Sequence, residues 1–247
     1  MSTFYVKNEQ IHGEKIYIVD EDVNHIKNVL RYKIADDIEI CDESGTRYYC
    51  KISDIEKDKI EATMFEISKE TTESDINITL FQGLPKSDKM DFIIQKCTEL
   101  GVKSIVPVIT DRVIVKIDEK NEDKKQTRWQ KIAKEAATQS GRQLVPSIEK
   151  SDNLKNIIEK LSKYDIVIVP YECEKERHIK NILKSFKSKP QNIAVVIGPE
   201  GGFSNEDIKI LENLKNIQIV SLGPRILRTE TAGIATIAMA MYEFDGF

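Results

Sequence analysis

No two cysteines of this chain form a CxxC pair, and its three histidines are just as scattered. Cys41, Cys50, Cys97 and Cys173 therefore point neither to a zinc site nor to a disulfide framework, and no metal is expected. No apolar run reaches the length of a membrane span and the first residues carry no signal-peptide pattern, so a reducing cytoplasm is the expected compartment. Neither GxxxxGKS/T nor GxGxxG occurs, which removes the common nucleotide-phosphate fingerprints. Internal repeats and low-complexity stretches are also missing. Nor is there an excess of positive charge. The net charge of −4 argues against a whole surface built for nucleic acid. Residues 1–70 hold 10 basic and 16 acidic side chains and the remainder 27 and 25, so any phosphate-binding surface must be a local patch.

What is present is a 247-residue chain, 40% hydrophobic and 32% charged, long enough for two modest globular domains. Its first part reads as short strands at 4–6, 15–19, 37–41, 46–52 and 59–66, with a turn at Asp42-Glu43-Ser44-Gly45. One helix interrupts them, capped by Asp20 or Asp22, with Val23, Ile26, Val29 and Leu30 as its apolar stripe. Together these predict a small barrel over 1–70, followed by a polar linker at 68–75.

From residue 76 strands alternate with helices. Strands are expected at 76–82, 104–109 and 166–170, and helices at 88–100, 127–140, 154–161 and 176–186. The charged stretch 116–126 reads as a mobile loop. Two strand–loop–helix units, with strands at 193–197 and 217–222, complete a domain over 76–247. The alternation predicts an α/β fold with a mainly parallel sheet covered by helices on both sides.

Those last two units carry the unusual loops. After the first strand comes Gly198-Pro199-Glu200-Gly201-Gly202-Phe203, with Ser204 as N-cap of the next helix. Glu206 and Asp207 in that helix's first turn disfavour phosphate and leave a polar or cationic ligand as the better fit. A glycine-rich turn is by itself equally compatible with ordinary turn chemistry. After the second strand comes Leu222-Gly223-Pro224-Arg225-Ile226-Leu227-Arg228-Thr229-Glu230-Thr231-Ala232. A rigid bend at a strand's carboxyl end is where open α/β sheets bind ligands. The closing helix, 229–244, is apolar around most of its circumference and should be buried nearly all round, within one subunit or against a second copy.

These stretches, taken together, resemble the ribosomal RNA small subunit methyltransferase E family, which belongs to the SPOUT methyltransferases and methylates N3 of a uridine in 16S rRNA. The resemblance spans essentially the whole chain. It rests on HIKNVLR at 25–31, Lys86 through Lys89, QKCTELGV at 95–102, QSGR at 139–142, and the GPEGG and LGPRILRTETA stretches, in that order.

The resemblance implies an N-terminal PUA-like β-barrel that helps hold RNA and a C-terminal parallel sheet with flanking helices and a deep trefoil knot. It also implies S-adenosylmethionine as methyl donor, a homodimer with the site at its interface, and the 30S ribosomal subunit as partner. The donor is expected against Gly198, Pro199, Glu200, Gly201 and Gly202, and against Leu222, Gly223, Ile226, Leu227, Thr229 and Ala232. Tyr171 and Glu172 supply a third wall. His25, Arg31, Lys86, Lys96, Arg142 and Arg225 are the expected RNA contacts; for His25 and Arg31 a solvated polar helix face is the alternative, for Arg142 and Lys96 a solvated surface role, and for Arg225 a structural one. One departure stands out. The family begins with an arginine before its first aromatic pair, where this chain has Thr3 before Phe4-Tyr5, with Arg31, Arg47 or Lys7 as possible substitutes.

The chemistry follows from the substrate. Uracil N3 bears a proton at neutral pH, and each pKa unit above the working pH costs about 1.4 kcal/mol. A cation near the ring oxygens stabilises the anionic imide, and Arg228 is the candidate. Glu230 is the candidate proton acceptor, with capping of its own helix as the alternative. Direct attack by N3 requires no cysteine adduct, and Cys97 reads as core filler. A non-catalytic RNA-binding scaffold, or a methyltransferase of the same fold acting on tRNA ribose or another base, are the competing assignments.

Overall fold

The structure is a computed structural model and describes residues 2–114 and 119–245. By its contacts the chain divides into two units: Met1–Glu73 with Ala137–Val145, and Ser74–Ala136 with Pro146–Phe247.

In the first unit, strands β1 (Thr3–Tyr5), β2 (Ile11–His12), β3 (Lys15–Val19), β4 (Asp37–Cys41), β5 (Arg47–Ile55) and β6 (Lys59–Ile67) form one curled sheet in the order β1-β4-β5-β6-β3-β2. Pairing is antiparallel except between β1 and β4. Alternating inward residues, Ile16 and Ile18, Ile38 and Ile40, Cys50 and Ile52, Ile60 and Ala62, make its core. The expected turn closes around the buried Asp42 carboxylate, which accepts from the Ser44 amide (2.8 Å), the Thr46 amide (2.9 Å) and the Tyr48 hydroxyl (2.8 Å).

The single helix departs from expectation. Helix α1 (Glu21–Asn24) passes into a wider π turn at His25–Val29, and three non-glycine residues around it, Asp20, Arg31 and Ala35, have positive φ. The wider winding slips the 3.6-residue register. Val23 and Ile26 keep their buried positions, but Val29, expected in the apolar stripe, is exposed.

Residues 137–145 belong to this unit by a set of hydrogen bonds. Tyr5 donates its hydroxyl to the Arg142 carbonyl (2.7 Å) and Arg47 donates to that of Gly141 (2.8 Å). Glu73 accepts from the Arg142 guanidinium (2.6 Å) and from the amides of Gln143 (2.8 Å) and Leu144 (3.1 Å).

The second unit is built on strands β7 (Asn77–Gly83), β8 (Ser104–Ile109), β9 (Ser147–Ile148), β10 (Asp152–Asn153), β11 (Ile166–Pro170), β12 (Asn192–Ile197) and β13 (Ile217–Val220). Their order is β10-β8-β7-β12-β11-β13, with β9 on β8, and every pairing is parallel. Parallel sheets are covered on both faces, which is why β11 and β12 are continuous apolar runs. The flanking helices are α2 (Lys89–Glu99), α3 (Glu119–Ser140), α4 (Leu154–Leu161), α5 (Ile179–Lys184), α6 (Asn205–Glu212) and α7 (Thr229–Phe244). No helix among the described residues is long and apolar enough to cross a membrane.

Two expectations are corrected here. The charged stretch 116–126 is helical from Glu119 onward, the preceding part lying outside the described residues. Its polar side chains are engaged: Glu122 accepts from the Ser151 amide (2.7 Å), Asp123 pairs with Lys150 (2.9 Å) and Gln126 donates to the Ile148 carbonyl (2.8 Å). The helix expected from 176 begins only at Ile179, because Glu174 takes the amides of Glu176 and Arg177 into a turn. Within one chain helix α7 keeps Met239 39% and Tyr242 71% exposed, so of its two expected modes of burial the one inside a single subunit is incomplete.

Candidate active site

The strand order brings the two glycine-bearing loops together. β11 lies between β12 and β13 and runs parallel to both, so the loops leaving their carboxyl ends emerge on one edge of the sheet. That edge is where doubly wound sheets place ligands. A cavity of about 500 Å³ opens there. Its walls are Tyr171 and Glu172 after β11, Gly198 to Phe203 after β12, and Ser221 to Thr229 after β13, with Ala232 beyond.

Glycine shapes the walls at two points. Gly202 has φ +68°, and a Cβ there would lie 2.4 Å from Glu172 Oε1. Gly83, at the end of β7, packs so closely that a Cβ would meet the Pro199 nitrogen at 2.6 Å. Ser204 caps α6 as expected, accepting from the Asp207 amide (3.1 Å) while its own amide donates to Asp207 Oδ2 (2.9 Å). This box holds the far end of the Gly198–Phe203 loop. The near end is held by Thr229, whose hydroxyl donates to the Gly198 carbonyl (2.6 Å) and accepts from the buried Gln82 amide (2.9 Å).

Charge gathers at the cavity mouth. Glu200 Oε1 accepts from the Lys86 amide (3.0 Å) and from Lys89 Nζ (2.9 Å). Burial works against the Glu200 charge, but Lys89 and the backbone amides of Glu200 and Lys86 outweigh it and hold the carboxyl below the usual range. Lys89 Nζ also lies 3.7 Å from Glu230 Oε2, an atom that is buried and without a hydrogen-bond partner. Both carboxylates, the hydrogen bond to Glu200 foremost, push the Lys89 ammonium to a higher pKa. Arg112 donates to the Gly201 carbonyl (2.8 Å).

All thirteen residues expected to hold the donor line this one cavity, and Arg225 and Arg228 line it with them. Glu230 stands beside it through Lys89. The other expected RNA contacts are dispersed. His25 is exposed on the π turn, with its ring edge-on to Phe4 at 6.4 Å, and Arg31 is exposed with φ +57°. Lys86 is exposed beside Glu200, while Lys96 is held by Glu99 at 2.8 Å. Arg142 is a correction. It is 5% exposed and ion-paired with Glu73, so its guanidinium holds the 137–145 segment in place and is not available to a phosphate. Lys89 is a site residue that the sequence does not single out, because nothing in its spacing reveals ion pairs with Glu200 and Glu230, more than a hundred residues away.

Comparison with known proteins places this geometry. An RNA methyltransferase domain model matches residues 72–241, and an RNA methyltransferase PUA domain model matches 18–65. The chain is 36% identical over 231 residues to ribosomal RNA small subunit methyltransferase E of Bacillus subtilis, covering 92% of this chain and 90% of that one. It belongs to the ribosomal RNA small subunit methyltransferase E family. The Aquifex aeolicus member of the family is 32% identical over 98% of this chain and 99% of its own. Among solved structures, the family's enzyme from Neisseria gonorrhoeae, bound to S-adenosyl methionine, superposes with a TM-score of 0.86 at 32% identity, covering 100% of this chain and 99% of that one. The described residues contain no cluster of side chains able to hold a metal ion.

Proposed function

We propose that this protein transfers the methyl group of S-adenosylmethionine to N3 of a uridine in 16S rRNA of the small ribosomal subunit. The observation that carries the assignment is the meeting of the two bends, 198–203 and 221–229, around one cavity with Arg225 and Arg228 at its rim. The residues fit the donor. A Cβ at Gly202 would meet the Glu172 carboxylate at 2.4 Å, so glycine there lets the 198–202 backbone and Glu172 close on one polar cavity of a size for an adenosine. Ile226, 85% exposed, and Leu227 supply apolar surface. Carboxylates at Glu172 and Glu200 suit a positively charged sulfonium better than a phosphate. When bound, the donor contributes an already activated methyl group, and the chain's task is alignment and charge.

Arg228 lies beside the ring oxygens of the uridine and stabilises the N3 anion; Glu230 takes the proton. The curled first unit, with His25 and Arg31, holds RNA together with Lys86, Lys96 and Arg225. The assignment extends to the domain limits 1–70 and 76–247, apart from the 137–145 segment that packs with the first unit, to the knotted crossing within the parallel sheet, and to a cytoplasmic homodimer. The uncovered face of α7 supports the dimer. Ala235, Ala238, Met239 and Tyr242 line an apolar groove with Ile179 and Leu183 of α5, which a second copy would fill.

Mass mapping of rRNA from a deletion strain tests the assignment. Loss of one N3-methyluridine from 16S rRNA, restored by adding the purified protein and S-adenosylmethionine to small subunits from that strain, is the expected result. Unchanged rRNA overturns it, and a methyl missing from tRNA transfers the activity to the competing substrate.

A further inference from the structure

The imide anion of uracil spreads its charge over N3 and two carbonyl oxygens, one on each side of N3. Of the two arginines at the rim, Arg225 is assigned to the RNA, and Arg228 with its one guanidinium fully answers the charge on only one side of N3. We infer that Lys89 is the second cation of the site, donating to the other carbonyl oxygen of the target uridine; the inference rests on the N3 assignment above.

Lys89 lines the donor cavity as the first residue of α2. Its ammonium is held by Glu200 of the first bend, which accepts at 2.9 Å, while Glu230, in the first turn of α7 just after the second bend, stands at 3.7 Å, beyond hydrogen-bonding distance. Of three ammonium N–H groups, one is therefore engaged by a described residue and two remain for a ligand. The side chain is 32% exposed, open toward the cavity mouth yet desolvated enough for its charge to count. The preceding loop is shaped for this placement. Ser87 takes φ +56°, a costly angle for a residue with a Cβ, and the turn it makes puts the Lys86 amide and the Lys89 ammonium on the same Glu200 carboxylate. Arg228 lines the same cavity, and its positive charge opposes that of Lys89. Two like charges lining one cavity, beside a carboxylate with an unsatisfied buried oxygen, make a poor structural strut. They make a good receptor for a group that becomes anionic while giving up a proton.

In the step itself, the N3–H proton passes to Glu230 and the N3 lone pair forms the new bond to the methyl carbon. The methyl–sulfur bond breaks with its electron pair on sulfur, giving a neutral thioether. Lys89 and Arg228 each donate to one oxygen flanking N3 as charge builds there and release it when N-methylation restores a neutral ring.

The test uses Lys89→Met and Lys89→Arg in the full-length protein. S-adenosylmethionine affinity is measured by calorimetry, and single-turnover methyl transfer on small subunits reconstituted with uridine or with 5-fluorouridine, whose fluorine acidifies N3. Lys89→Met should keep donor affinity within about threefold and lose on the order of 100-fold in rate. Lys89→Arg should recover part of that rate, and the Met defect should shrink about tenfold on 5-fluorouridine, where less anion stabilisation is needed. A rate within threefold of wild type overturns the inference. So does a rate loss that parallels a loss of donor affinity and is equal on both substrates, which marks Lys89 as a strut. Methylation by the wild type at an atom other than N3 would remove the N3 assignment, and the inference with it.

Discussion

The Thr229 hydroxyl donates to the Gly198 carbonyl oxygen at 2.6 Å, tying the start of one cavity wall to the start of the helix that follows the other. Gln82, fully buried in β7, donates to the same hydroxyl at 2.9 Å. One side-chain oxygen thus fixes the spacing between two bends 31 residues apart in sequence.

Thr229→Val keeps the shape and removes that oxygen. It leaves the Gly198 carbonyl without its donor and the Gln82 amide without one acceptor, a cost of about 1–3 kcal/mol. Affinity for S-adenosylmethionine should fall about tenfold by calorimetry, and Thr229→Ser should restore most of it. Unaltered binding in the valine variant would mean that the two bends are held apart from this bond.

Gly83→Ala and Gly223→Ala separate crowding from backbone strain. A Cβ at Gly83 meets backbone atoms, Pro199 N at 2.6 Å and Gly198 C at 2.9 Å, so the cavity wall must move. A Cβ at Gly223 meets nothing within 4 Å, and its only penalty is φ +113°. Donor affinity should drop sharply in the first variant. The second should lose about 1 kcal/mol of stability and bind the donor nearly as before. Equal donor affinity in both would show that the 198–202 wall gives way easily.

Arg228→Ala should lower the methyl-transfer rate by about 100-fold while S-adenosylmethionine affinity changes little, since Arg228 is assigned to the uridine. An equal loss in both measurements would make Arg228 a donor-binding residue.

Acid should weaken the first unit through Asp42. Burial opposes its charge, but hydrogen bonds from Ser44, Tyr48 and Thr46 prevail and lower its pKa. A depressed carboxyl stabilises the fold above its unfolded pKa of about 3.9, and that contribution disappears as pH falls through the folded value. Asp42→Asn should cost about 1–3 kcal/mol at neutral pH and flatten the acid limb of a thermal-melt series below about pH 4. An unchanged acid limb would assign the pH dependence to other carboxylates.

Glu73→Gln should destabilise the first unit by about 3 kcal/mol, because it takes the charge partner from a buried arginine. Thermal melts of the two proteins measure it, with donor affinity unchanged as the control.

Much of this was legible in the chain. β11, α4 and α7 fall where their apolar periods and flanking breaks put them, and Ser204 is the N-cap of α6 as expected. Those features are local. Val29 was misassigned because a π turn changes the winding that the periodic argument assumes. The helix from Glu119 reads as a loop in the sequence because its stability comes from Ser151, Lys150 and Ile148, which charge composition cannot anticipate. Arg142 looked like a surface cation for the same reason: its partner Glu73 lies 69 residues away. In the site, glycine and apolar positions were readable because a close approach of backbone demands those residue types. Lys89 was not, because any helix start tolerates a lysine.

Residues 137–145 join the first unit although the chain on both sides of them belongs to the second. Neither unit is therefore a continuous stretch that can be cut out of the gene. A fragment ending near Glu73 would keep that carboxylate but lose the three successive residues that fill it, and the Tyr5 and Arg47 side chains would lose the carbonyls they bind. Fragment swaps between relatives have to carry this nine-residue insert with the N-terminal portion, or the transplanted part arrives with an unfilled seam.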